Sequence, residues 1–345
     1  MSLLIDALKR KNKNRPPVWM MRQAGRYHDH YQEMKKKYSF IELCKTPEAA
    51  CETTMGPIRD FDFDAAILFS DILFPLEVMG MGLEYSPGPK LSFHLDSKEK
   101  IESLNIDPEG AKKLSFQSEA LKLIRSQLPS EKGLIGFVGA PLTLYFYAAV
   151  GSHKGDLTLA KDGVTNGQWE LFHSKLYQLL LDNMLLQARA GAEAIALFDT
   201  CGGEISFDHY QHAVVPLLKE LLTSFKKQAP NTPIIYYSKK TTKNHWKTLV
   251  DLPIECIGVD WNTPITEVLE EFGDRFAIQG NFDPNDFFLD TNQFNEKLLH
   301  YFEEIKKLPA TKREGWICGL GHGVLPKTPQ EHVKKFVVLQ KEIFG

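Results

Sequence analysis

Seven short apolar runs, each stopping abruptly at a polar residue or glycine, set the rhythm of the chain. They lie at 64–69 before Ser70-Asp71, 133–138 before Gly139-Ala140-Pro141, 192–198 before Asp199-Thr200, and 233–237 before Ser238. Three more occupy 256–259 before Asp260-Trp261, 276–279 before Gly280-Asn281, and 316–318 before Gly319-Leu320-Gly321-His322. Parallel strands buried on both faces read as such runs. Helical patterning separates most of them, at 31–61, 110–127, 167–188, 210–227, 264–272, 294–307 and 329–344. With 18–20 as a possible eighth strand, the alternation predicts βα units and favours a closed (β/α)8 TIM barrel over an open doubly wound sheet. The expected organisation is one domain over 1–345, with an N-terminal extension to about residue 16. An excursion at about 82–130, where Pro87, Gly88 and Pro89 suggest a loop or hairpin, interrupts the rhythm.

A barrel gives the strand ends a direction, because active sites of such folds gather at the C-terminal ends of the strands. Asp71, Gly139, Asp199, Thr200, Asp260, Asn281 and His322 would then face one mouth. An acid in this position also suits a helix N-cap. Asp71 fits that role least, since the sequence continues apolar to Pro75, and proline disfavours helix at the residue before it. A buried Ser70-Asp71 would need a polar partner.

A second kind of pattern precedes the first strand. Met21-Arg22-Gln23-Ala24-Gly25-Arg26-Tyr27 sets two guanidiniums four residues apart, a spacing that places both on one side of a helical or an extended backbone. Gly25 would let a ligand approach the main chain or let the chain turn with positive φ. Guanidinium pairs with carboxylate or phosphate through two parallel hydrogen bonds; the alternative is a pair of ordinary surface ion pairs. The formal net charge of −3 gives no general affinity for nucleic acid or anionic membrane, so an anion site must be local. Five scattered cysteines without a CxxC pair suggest reduced thiols and a cytoplasmic protein. The N-terminal order, apolar then basic, is the reverse of a signal peptide, and no apolar run reaches spanning length.

Several motifs fail. Asp60-x-Asp62-x-Asp64 has Ala65 where a calcium loop needs glycine. Gly319-Leu320-Gly321-His322-Gly323 has Val324 in place of the third glycine of a dinucleotide fingerprint, and the eleven histidines include no HExxH and no His-x-Cys. His322, between two glycines at a strand end, reads as a ligand contact rather than a core histidine.

The arginine motif, Phe69-Ser70-Asp71-Ile72-Leu73, Gly136-Phe137-x-Gly139-Ala140-Pro141-x-Thr143-Leu144, Gly280-Asn281-x-Asp283-Pro284 and Gly321-His322-Gly323-x-x-Pro326 together closely resemble the uroporphyrinogen decarboxylase family. The resemblance runs in order through nearly the whole chain. It implies a (β/α)8 barrel, a homodimer and a reaction without cofactor or metal. That reaction removes four acetate carboxyls from uroporphyrinogen III to give coproporphyrinogen III in haem biosynthesis. By resemblance Asp71, Arg22 and Tyr147 are catalytic: Asp71 receives the pyrrole NH groups, Arg22 helps to supply a proton, and Tyr147 stands near a reacting acetate. Arg26, Gln23, Thr200, His322 and Phe198 are implied in substrate binding.

Departures from the family pattern occur at His28-Asp29, Lys35, Leu142, 150–155 and 238–243, none at a residue assigned to chemistry. Lysines in the last segment could serve as further carboxylate handles. Two other readings stay open: a cobalamin-linked thiol methyltransferase, which would need the missing His-x-Cys, and a non-catalytic tetrapyrrole-binding barrel.

Overall fold

Each of the seven apolar runs forms a strand. In chain order the strands are β1 (Ala65–Ile67), β2 (Glu84–Tyr85), β3 (Pro89–Lys90), β4 (Gly133–Gly139), β5 (Ala194–Asp199), β6 (Ile234–Ser238), β7 (Cys256–Gly258), β8 (Ala277–Phe282) and β9 (Trp316–Leu320). β2 and β3 pair antiparallel as a hairpin within the expected excursion. The other seven are buried along their length, as their unbroken apolar sequences require. This computed structural model describes residues 2–85 and 88–345, so Pro87 lies outside the described residues. The chain divides into two units: the N-terminal segment to Phe69 with Ala120–Ile135 and Glu255–Gly345, and Ser70–Glu119 with Gly136–Ile254.

In the first unit β7, β8 and β9 run parallel, and β1 runs parallel to the beginning of β4, with Ala65 opposite Gly133 and Ile67 opposite Ile135. The possible eighth strand is a single bridge from Val18 to Cys318 of β9. Cys318 N donates to Pro17 O at 2.9 Å, Trp19 N to Cys318 O at 3.2 Å, and Asp64 N to Val18 O at 2.9 Å. Pro16 and Pro17 have no N–H, so a ladder cannot extend backwards from the bridge. Asp64 closes the junction: its carboxylate takes both terminal nitrogens of Arg15, at 2.7 and 2.5 Å, and the N–H of Val18 at 2.8 Å. The expected helix at 31–61 is three helices, Asp29–Lys37, Phe40–Lys45 and Pro47–Phe61. Ser39 and Glu42 form a reciprocal capping box that starts the second, and extended Tyr38 ends the first.

In the second unit β5 and β6 pair in register from Ile195 opposite Ile234 to Asp199 opposite Ser238, and Ala140 N, just past β4, donates to Phe198 O at 3.0 Å. Along β4, Gly133 and Ile135 bond on the edge that faces β1, and Phe137 alternates onto that same edge beyond the last β1 partner. A side chain completes it. Gln187, on the helix Gln168–Arg189, accepts from Phe137 N at 2.7 Å and donates to Phe137 O at 2.8 Å. Its amide also donates to Gln117 Oε1 at 3.2 Å, and Gln117 donates to Ser70 Oγ at 3.1 Å. Gln187 and Gln117 are buried, Ser70 is half-buried, and their hydrogen bonds satisfy one another, which specifies one arrangement.

Among the described residues all five cysteines are buried and unbridged, and no helix is long and apolar enough to cross a membrane. Gln187→Met should lower stability by about 2–4 kcal/mol, because it leaves the Phe137 peptide groups and the Gln117 Oε1 buried without the Gln187 amide. The midpoint of denaturant unfolding, followed by circular dichroism, measures this.

Candidate active site

In the first unit the arginine motif forms a tight turn directly after the Val18 bridge. Gln23 pins it: its Nε2 donates to Ala65 O at 3.0 Å, its Oε1 accepts from Met20 N at 3.2 Å, and its side chain is buried. Tyr27, also buried, donates its hydroxyl to Gln23 O at 2.8 Å. The left-handed residue of the turn is Arg22, with φ of 62°, and Gly25 has no positive φ. A side-chain residue in this conformation carries a cost of about 1–2 kcal/mol, so the surrounding bonds must hold it there.

The loop after β9 supplies one of those bonds. Val324 N donates to Met21 O at 2.9 Å, and the stem of Arg22 lies across Gly323. A Cβ at Gly323 would stand 2.5 Å from Arg22 Cδ, so the missing side chain is the space the arginine occupies. Next to it, His322 Nδ1 accepts from Gly323 N at 2.7 Å, which puts the proton of the neutral ring on Nε2 as a donor. Arg22 and Arg26 are both exposed, and among the described residues neither has a carboxylate partner. Burial pushes the Tyr31 phenol up to about 12, and the charge of Arg26 opposes that shift. The structure therefore brings Arg22, Gln23 and His322 together, with Arg26 on the same turn.

In the second unit Asp71 is half-buried and follows the Gln117-bonded Ser70. Its Oδ1 accepts from Leu73 N at 2.8 Å, and a short helix, Phe74–Val78, begins immediately after. Proline did not exclude that helix, because Pro75 falls in its first turn, where no N–H is required. Ile72 packs against Gly139, so the Asp71 segment rests on the end of β4. Phe198 packs on Phe137 with centroids 5.5 Å apart and on Tyr237 at 6.3 Å, forming an aromatic row over three strands.

Thr200 is half-buried in the turn after Asp199. Asp199 is held by Thr143 Oγ1 at 2.7 Å and Tyr236 Oη at 2.5 Å. Burial raises its pKa, and the bonds from Tyr236 and Thr143 oppose the rise. It braces the turn from behind. Tyr147 lies on the helix Pro141–Val150 and shares a hydrogen bond of 2.5 Å with His153 Nδ1.

The departures fall into place individually. His28 is buried between the rings of Tyr27 and Phe61, with Nε2 on Asp60 at 2.7 Å; burial lowers its pKa and Asp60 opposes this. The ring fills a slot where the family commonly has leucine. Leu142 is buried and Lys35 exposed. Lys240 has φ of 59°, the conformation for which the family's glycine-containing turn is suited, and its Nζ reaches Glu204 at 2.8 Å. It is therefore already paired with a carboxylate of its own chain. Sequence reasoning missed the contact of His153; a histidine two residues past the glycine that ends the tyrosine's helix was the available signal.

Among the described residues no cluster of three or more His, Cys, Asp or Glu side chains is placed to hold a metal ion. The sequence profile described as uroporphyrinogen decarboxylase (URO-D) matches residues 1–343. The uroporphyrinogen decarboxylase of Chloroherpeton thalassium is 37% identical over 99% of this chain and 97% of its own length. That of Geobacter metallireducens is 35% identical over 95% and 94%. Among solved structures, a methyltransferase from Methanosarcina mazei superposes with a TM-score of 0.78 at 17% identity, covering 99% of this chain and 98% of its own. A putative vitamin-B12 independent methionine synthase from Listeria monocytogenes gives 0.56 at 14% identity, over 97% and 100%. These two likenesses concern fold alone, and with the alternating parallel strands and helices they place the chain in the (β/α)8-barrel class. The match over nearly the full length, at this identity, settles the family: the chain belongs to the uroporphyrinogen decarboxylases.

Proposed function

We propose that the chain converts uroporphyrinogen III to coproporphyrinogen III by removing the carboxyl groups of its four acetate side chains as carbon dioxide. The observation that carries this reading, beyond family, is the pair of exposed arginines on one pinned turn with no carboxylate partner among the described residues. Ordinary surface ion pairs do not account for them. A polycarboxylate substrate does, since each fork can take a carboxylate bidentately.

A pyrrole acetate cannot simply lose carbon dioxide, because the electron pair left behind has no acceptor. Protonation of the pyrrole ring creates one. The cationic ring takes the electrons as the C–C bond breaks, and the exocyclic methylene carbon is then protonated to a methyl group. A reaction of this kind requires no cofactor or metal. It requires a fixed negative charge where the cation develops. In the second unit Asp71 takes that role and accepts the pyrrole N–H groups, with Thr200 and Phe198 in contact with substrate and Tyr147 near the reacting acetate. In the first unit Arg22, Arg26 and His322 hold substrate carboxylates, and Gln23 contributes by fixing the turn that carries the two arginines. Arg22 also orients the carboxyl or water that protonates the ring. The working form is a cytoplasmic homodimer in which residues 1–345 act as one catalytic domain.

Anaerobic incubation with uroporphyrinogen III, followed by oxidation and separation by carboxylate count, should show the four-carboxylate product accumulating. Persistence of the eight-carboxylate species alone would remove the assignment. Asp71→Asn should retain the fold and lose about 100-fold or more in kcat, as amide cannot supply the charge; near-parental turnover would exclude Asp71 from the chemistry. Arg26→Lys keeps charge but loses the fork, so KM should rise about tenfold with kcat little changed. Initial rates against substrate concentration separate the two effects.

A further inference from the structure

The helix that carries Tyr147 ends at Gly151, whose φ of 73° turns the chain back on itself while its N–H bonds to Tyr147 O at 2.8 Å. His94 lies against this glycine: a Cβ there would stand 2.5 Å from His94 Nε2. Leu95 N donates to Ala148 O at 2.8 Å, which holds the His94 segment to the same helix end. The reversal brings His153 over the tyrosine, with Nδ1 2.5 Å from Tyr147 Oη and the ring centroids 5.6 Å apart. Both side chains are half-buried, so the pair is in reach of water. His153 belongs to the segment that departs from the family pattern, and nothing in the resemblance assigns it a role.

A phenol is a weak acid near neutral pH, whereas imidazole exchanges protons with water in that range. Resting on the decarboxylase reading, we propose that His153 is the positioning partner of Tyr147 and the proton reservoir behind it in the final step of each decarboxylation. After carbon dioxide has left, the exocyclic C=C electron pair takes the Tyr147 hydroxyl proton and forms the new C–H bond. The tyrosine oxygen simultaneously takes the Nδ1 proton of the imidazolium, so no free phenolate forms. Neutral His153 recovers a proton from water, and the ring cation loses its added carbon-bound proton to restore the pyrrole. One proton is consumed for each carbon dioxide released. Among the described groups, Tyr147 on the helix faces the imidazole and His94 lies across Gly151, while Lys154 and Asp156 follow it on its own loop. Carboxylates of a bound substrate favour the imidazolium and would load the relay when it is needed.

His153→Asn tests the relay, because its amide can occupy the place of Nδ1 and keep the hydrogen bond to Tyr147 without titrating. In the parent enzyme kcat should fall as pH rises through the imidazole range, since the charged form is the donor. In His153→Asn that limb should disappear and kcat at neutral pH should drop roughly 10- to 100-fold, with KM within about twofold. His153→Ala should lose no more in kcat than the asparagine variant, and Tyr147→Phe combined with His153→Asn should cost little beyond Tyr147→Phe alone. An active parent whose asparagine variant retains the rate, or the pH limb, overturns the relay and leaves His153 a loop anchor. A parent that leaves uroporphyrinogen III unchanged overturns the decarboxylase reading on which the relay rests.

Discussion

The bidentate clasp of Arg15 on Asp64 is the constraint from which the first unit's chemistry follows. Asp64 stands immediately before β1 and takes the Val18 N–H with its remaining capacity, so the N-terminal segment is locked beside β1 while Val18 bridges to β9. Five residues further on, Gln23 repeats the attachment at Ala65. Two anchor points, one immediately before β1 and one on its first residue, leave the intervening turn little freedom. That rigidity is what keeps Arg22 left-handed and directs its stem across Gly323. A guanidinium held this way loses less entropy on capturing a carboxylate than one on a free surface side chain.

The second unit uses neutral groups for the same end. Asp71 is reached through Ser70, Gln117 and Gln187, a chain of uncharged hydrogen bonds that ends on the backbone of β4. The buried Asp199 is likewise held by the hydroxyls of Thr143 and Tyr236. The departures respect this division. His28 replaces an apolar side chain with a packed ring, and Lys240 settles on Glu204. The segment 150–155 meets a residue assigned to the reaction, through the Gly151 N–H and the His153 ring on Tyr147.

The seven strands were legible because a strand buried on both faces must be apolar throughout and must stop where polar groups meet solvent or ligand. The eighth was not, because two prolines leave a bridge where the apolar pattern suggested a ladder. At 31–61 the helical composition was legible and its interruption was not, since the break rests on one reciprocal cap, Ser39 with Glu42. In the arginine motif the glycine looked like the flexible position, yet the strained backbone belongs to Arg22, imposed by bonds from residues far along the chain. The candidate residues were legible chiefly by resemblance. Their supports, Gln117 and Gln187 above all, were not, because glutamines within helical patterns carry no signature of what they will touch.

Gln187 gives the amide of a helix the work of a neighbouring strand. Past Ile135, the last residue of β4 paired with β1 among the described residues, its side chain makes both bonds that a parallel backbone would make with Phe137. A backbone partner cannot be exchanged without rebuilding the sheet. A side chain can be exchanged by one codon. The support beneath Ser70 and Asp71 is therefore the place where the spacing of the Asp71 carboxylate could drift over evolutionary time, while the strands themselves stay unchanged.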